Sequence, residues 1–206
     1  MSSEIELRLP NKPQQARSRD RVEQILEATE KLMETHPLDQ ISFMMIAQYC
    51  GIGRPSIYPY FSTPNAIYRA LGLKFLDEIA LVFHARDLKQ AAPTWQSTMD
   101  ALLDITVDFY QRRPAARSLF FGDGSQGGLR AVDLHFDRRF ADAIRNAMSP
   151  WLRLDATEHV DPAQIVVSIS LSVLSISVLN NGYITPEYRD EAKRVTRAYL
   201  ALFDGM

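Results

Sequence analysis

One cysteine, four histidines and a glycine-rich loop are the features of this 206-residue sequence whose types invite chemistry, and their spacing supports none. Disulfide chemistry needs a second thiol. Cys50 is alone, with no CxxC partner, which excludes an intramolecular disulfide and fits a reducing compartment. Metal ligation needs ligands at short, regular spacing, but His36, His84, His135 and His159 are scattered and no HExxH occurs. A phosphate loop needs a strand before its glycines and a lysine after them. The run Gly122-Asp123-Gly124-Ser125-Gln126-Gly127-Gly128 has neither, and no nucleophile elbow occurs elsewhere. These absences predict a protein that binds rather than turns over: no enzyme, no metal, no cofactor.

The elements that would do the binding come from the apolar pattern. Hydrophobic residues make up 46% of the chain and charged ones 23%, enough for a real core. The formal net charge of −2 rules out a chain that is basic throughout, but binding to an acidic partner depends on a local patch. The N-terminus, with Glu4 and Glu6, has no apolar h-region of a signal peptide. The longest apolar run, Ile165 to Leu179, is too short and too rich in serine to read as a membrane span. A soluble, cytoplasmic protein with no membrane partner is expected.

Residues 1–16 read as a flexible arm. Lys12, Arg17, Arg19 and Arg21 make the region around its end basic. From Val22, apolar residues recur at Ile25, Leu26, Thr29, Leu32 and Met33, one face of a helix that His36-Pro37 ends. Ser42 is placed to cap a second, short helix, Phe43 to Cys50, which Gly51 closes through a left-handed turn. A third short helix is predicted after Gly53, beginning Arg54-Pro55-Ser56-Ile57-Tyr58. A longer helix followed by two short ones across a glycine turn is the helix-turn-helix pattern. Thr63-Pro64 then opens a fourth helix, with Ile67, Ala70, Leu71, Phe75 and Ile79 on its apolar face.

Beyond residue 80 the pattern stays helical. Helices are predicted around Trp95–Phe109, Leu129–Trp151, from Asp161-Pro162, and from Thr185-Pro186 to the end. One segment speaks for a strand: Ser168-Ile169-Ser170-Leu171-Ser172-Val173 alternates with period two. A lone strand would have no partner in a helical chain, so a helix is predicted there too. On that helix Ser168, Ser172, Ser175 and Leu179 share a face small enough for another helix to approach closely.

The stretch Ile46-Ala47-x-x-Cys50-Gly51-Ile52-Gly53-Arg54-Pro55-Ser56-Ile57-Tyr58-x-Tyr60-Phe61 resembles the signature of the TetR family of bacterial transcriptional regulators. Ser42 stands where that family has a Thr or Ser four residues before the Ile-Ala pair, and Arg21 to Met33 matches its upstream helix. The resemblance covers residues 17 to 80. It implies an all-α fold: an N-terminal three-helix helix-turn-helix domain over 17–80, and a helical ligand-binding and dimerisation domain over 81–206. It further implies that the third helix enters the major groove of double-stranded DNA, with Arg54 and Ser56 toward base edges and Pro55 among the DNA-binding candidates. Tyr58 and Tyr60 would reach phosphates, and Ser42 with the start of the second helix would hold another. Ile46, Ala47, Cys50, Ile52, Ile57 and Phe61 would be core.

For the C-terminal half the resemblance implies a homodimer built on the last two long helices. Ser168, Ser172, Ser175, Leu179, Val195 and Leu202 are the interface candidates. A small apolar or amphipathic effector is expected among the aromatics, with Trp95, Met99, Phe109, Phe120, Phe136 and Phe140 as pocket candidates. The expected protein is a repressor that leaves a palindromic operator when its effector binds. Two departures from the family pattern favour another reading, an adaptor that keeps the fold but has weakened or lost DNA binding. Pro64 replaces a phosphate-contacting lysine, and Pro59 falls inside the presumed recognition helix. Basic and acidic residues are also equal in number up to Gly72.

Overall fold

Residues 12–85, 92–122 and 130–205 are described by a computed structural model, with the side chains of 12–16, 84, 85 and 130–137 left aside. Among the described residues there are eight α-helices and no strand. They are α1 (Lys12–Met33), α2 (Phe43–Cys50), α3 (Pro64–Ala85), α4 (Trp95–Arg112), α5 (Pro114–Phe121), α6 (Arg130–Met148), α7 (Pro162–Asn181) and α8 (Pro186–Leu200). Helix α1 includes residues 12–16 of the expected arm, and residues 1–11 lie outside the described part. The glycine-rich loop falls outside it from Asp123 onward.

The helix ends are set by the residues the sequence marks. Ser42 Oγ accepts from the Met45 N–H (3.4 Å), and Thr63 Oγ1 accepts from the Ala66 N–H (3.2 Å). Gly51 has φ +65°, its N–H bonds the Gln48 carbonyl, and the Ile52 N–H reaches back to Ala47 (3.0 Å). These two bonds form a Schellman closure, which requires the left-handed backbone that glycine adopts without strain.

The third element departs from the expected helix. Arg54–Ser56 is a single 3₁₀ turn, and the chain continues in turns to Tyr60. Pro59 has no N–H to donate, and a proline disfavours the helical region for Tyr58 before it. The backbone closes instead through Ile57 N–H to Arg54 (3.1 Å) and Phe61 N–H to Ile57 (3.1 Å). The fold survives because Ile57 is fully buried and Phe61 nearly so, among Ile25, Ile46, Ala47 and Ile67. Cys50 and Ile52, also expected in this core, are half-buried and pack against it.

The C-terminal half is layered on α7. Helices α6 and α8 pack on α7, α4 packs on α8, and α5 lies between α1, α3 and α7. The segment with strand-like alternation is helical throughout. Asp161 Oδ1 caps α7 through the Ala163 N–H (3.0 Å), and Gly182 ends it at φ +78°. Ser170 and Ser177 are buried, with their hydroxyls bonded to backbone, while Ser168 and Ser172 face solvent, so the serines are divided between two faces. At 20 residues, with an 18-residue stretch of mean hydropathy 1.9, α7 is long and apolar enough to cross a membrane by composition alone. Its place in this fold is that of a core helix, with Ala163, Val166 and Leu174 fully buried.

Two sets of ion pairs join the halves and the layers. Arg113, between α4 and α5, reaches Glu30 of α1 (3.2 Å) and Glu78 of α3 (2.8 Å), and Lys74 pairs with Glu23. Asp104 of α4 receives Arg189 (2.7 Å) and Lys193 from α8. Burial alone would raise the Asp104 pKa, but the hydrogen bonds from Arg189 and Lys193 outweigh it and hold this carboxyl below its ordinary range.

Candidate nucleic-acid interface and core cavity

From Arg54 to Phe61 one residue in four is buried. Ile57 and Phe61 point inward, and Arg54, Pro55, Ser56, Tyr58 and Tyr60 are exposed. The buried pair anchors the segment, leaving donors of two kinds facing water. Arg54 is not a loose side chain. Its guanidinium carbon lies 5.5 Å from the centre of the Tyr58 ring, and that ring meets Phe43 of α2 edge-on at 5.3 Å. The cation–aromatic contact and the ring pair hold a guanidinium at the mouth of the turn. Its planar fork suits the O6 and N7 acceptors of guanine. Ser42 is half-buried, and its hydroxyl accepts from the first turn of α2.

Behind this surface α1 is tied to the end of α2. Gln24 Nε2 donates to the Cys50 carbonyl (2.9 Å), and Arg21 Nη1 donates to Gln24 Oε1 (2.8 Å). Burial pushes the Cys50 thiol pKa up, with nearby Arg21 opposing, which disfavours the reactive thiolate. Arg17 and Arg19 lie exposed near the start of α1. Tyr68 of α3 was given no part by the sequence reading. It donates its hydroxyl to the Leu38 carbonyl (2.8 Å), and burial pushes its pKa up to about 12. It locks the loop before α2 onto α3.

The pocket candidates separate. Met99 and Phe140 line a narrow apolar gap between α4, α6 and α7, together with Phe83, Thr106, Ser170 and Leu174. Its volume is only about 20 Å³, room for about one water. Trp95 is not in it. Its indole N–H donates to Asp204 Oδ2 (3.0 Å) and so pins the C-terminal turn. Phe109 and Phe120 pack edge-on against the buried Tyr110, at 5.5 and 5.9 Å, and the Phe136 side chain lies outside the described residues. The sequence reading missed Phe83 and Leu174, because the fold decides which apolar faces converge. Phe83 pairs edge-on with Phe140 at 5.2 Å, and the two also form the floor of an open groove between α3 and α6 of about 680 Å³.

Of the helix-face candidates, Ser168, Ser172, Leu179 and Leu202 are exposed, while Ser175 and Val195 are half-buried. The α7 face also carries exposed Ile176, and Tyr183 is exposed just beyond the helix end.

Comparison with known proteins places this architecture. A family model for the bacterial regulatory proteins of the tetR family matches residues 25–71, and one for a tetracyclin repressor-like C-terminal domain matches residues 93–203. No curated protein matches in sequence. A TetR transcriptional regulator from Rhodococcus sp. RHA1 is 20% identical with a TM-score of 0.67, over 89% of this chain and 97% of that one. A TetR-family regulator from Streptomyces coelicolor is 19% identical with a TM-score of 0.68, over 89% and 99%. The multidrug binding protein EbrR, solved with imidazole, is 17% identical with a TM-score of 0.63, over 88% and 90%. At these identities the neighbours establish the fold, and the matched domains establish the family. The chain belongs to the TetR family of transcriptional regulators, with a DNA-binding helix-turn-helix domain ahead of a helical C-terminal domain.

Proposed function

We propose that this regulator is a cytoplasmic repressor that binds a palindromic operator as a homodimer and leaves it when a small apolar or amphipathic effector enters the C-terminal domain. The observation that carries the reading is the exposed, ring-supported guanidinium of Arg54 on a segment anchored by Ile57 and Phe61. Arg54 and Ser56 read base edges, and Tyr58, Tyr60 and Ser42 hold phosphates, with Pro55 setting the turn that presents them. The exposed apolar stripe Ile176, Leu179, Tyr183, with Leu202 nearby in sequence to α8, supports pairing of the last two helices with a second copy. A two-fold dimer would set its reading segments about 34–36 Å apart, one turn of DNA. The gap around Met99 and Phe140 is where an effector would bias the dimer, by binding one of its two states better than the other.

Selection from a randomised duplex library, sequenced after several rounds, tests this reading. An inverted repeat with a strong guanine in each half-site supports it. Enrichment of nothing above background favours the adaptor instead. That second reading draws on the third element being a single 3₁₀ turn rather than a helix, and on exposed Met44 and Tyr49 along α2.

A further inference from the structure

The gap between α4, α6 and α7 and the groove between α3 and α6 share one wall, the edge-on pair Phe83 and Phe140. The inner side is small and apolar, and none of the described residues lining it is ionisable. Two hydroxyl-bearing residues line it. Thr106 Oγ1 donates its proton to the Leu102 carbonyl (2.8 Å), and Ser170 Oγ donates to Val166 (2.7 Å) and Val167 (3.0 Å). A hydroxyl has one proton and two acceptor lone pairs. Both protons are used on the helices' own backbone, so what remains for a guest is acceptor capacity. The outer groove is lined by Leu76, Ala80, Leu81 and Ala143 and carries one charged pair, Asp77 with Arg139, already neutralised by each other.

We infer that the guest of this site is an uncharged molecule with an apolar body and a hydrogen-bond donor at its leading end. An alcohol, a phenol or a neutral N–H compound fits that description. The inference rests on the effector reading above. The guest enters through the α3–α6 groove and parts Phe83 from Phe140, merging groove and gap. An ion would leave water for an inner gap whose described lining carries no countercharge, which is strongly disfavoured. A ketone or ether of the same size brings only acceptors and meets only acceptors. A guest at this wall also has a route to the reading segment. Phe83 lies near the C-terminal end of α3, and the N-terminal half of the same helix buries Ile67 and Leu71 in the core shared with Ile57. A guest that displaces Phe83 therefore acts on a helix packed beneath the reading segment.

The test is calorimetric titration of the full chain, without DNA, against 1-octanol, 2-octanone, octanoate and octylammonium, all with eight carbons. Octanol is expected to bind about tenfold tighter than octanone, the size of one buried hydrogen bond, and the two ions not measurably. A Thr106→Val/Ser170→Ala variant should keep its melting temperature within a few degrees and lose the preference for octanol over octanone. Equal binding of octanone or of either ion overturns the inference. So does a preference that survives in the double variant, or a series in which no member binds. DNA release is scored separately: octanol that binds with the expected preference but leaves a DNA complex intact contradicts the effector reading and not the chemistry of the site.

Discussion

Between Ser42 and Phe61 each side chain proposed to contact DNA is positioned by a backbone device within a few residues: a cap, a glycine turn, a buried anchor. The gap behind Phe83 and Phe140 is different, because its walls come from α3, α4, α6 and α7, up to 91 positions apart between Phe83 and Leu174. The reading segment is thus a local object, and the cavity is an object of the tertiary fold. Local objects tolerate loss of regular structure as long as their anchors hold. That is how the segment keeps its place with Pro59 inside it.

Truncating an anchor in each region breaks the comparison most sharply. Ile57→Ala and Leu174→Ala both remove fully buried side chains and should each lower the unfolding free energy by about 2–5 kcal/mol in urea titrations. Only Ile57→Ala should also abolish DNA binding at temperatures where the variant is still folded. If Leu174→Ala costs as much DNA affinity, the two regions are not separable. Arg54→Ala comes next in size. It should cost about 1–3 kcal/mol of discrimination at one base pair per half-site, measured by competition with point-mutated duplexes, and leave the melting temperature unchanged. Tyr58→Phe keeps the ring beneath Arg54 and should retain that discrimination, whereas Tyr58→Ala should lose part of it.

Gly51→Ala probes the backbone device directly. A Cβ there meets nothing within 4 Å, so the whole cost arises from φ +65° and should be about 1–2 kcal/mol in thermal or urea unfolding. A neutral result would mean the Schellman closure is not what holds the turn. The smallest effect is electrostatic and belongs to the other region. Asp104 is held below its ordinary pKa by Arg189 and Lys193, so its contribution to stability is present above the unfolded value of about 3.9 and is lost as pH falls through the lowered folded value. Melting temperatures followed from pH 6 downward should fall less steeply in Asp104→Asn than in the wild type over that acid window.

The same division explains what was legible in the sequence. Caps and turns are written in adjacent residues, so Ser42, Gly51, Thr63, Asp161 and Thr185 mark helix ends where the structure has them. The period-two serines of α7 misled only as an isolated segment. A proline at its first turn and a left-handed glycine at its end enclose a helix, and two of its buried serines bond backbone carbonyls. Pro59 was visible too, but whether the third element would kink, shorten or unwind depends on how Ile57 and Phe61 are held. The cavity was legible only in Met99 and Phe140, since an aromatic at helical spacing does not say which neighbour it faces. Trp95 and Phe109 have the same apolar credentials as Phe140, and one pins the C-terminal turn while the other packs on Tyr110.

On the proposed function, a locally anchored segment reads DNA despite lacking a regular recognition helix. Fluorescence anisotropy with the duplex recovered by selection, titrated across salt and competed with unrelated duplex, tests it most directly. Tight, salt-sensitive binding that unrelated DNA does not displace, with that preference lost in Arg54→Ala, is the predicted result. Binding that is weak and equal for every duplex, or a preference unchanged in Arg54→Ala, would contradict it.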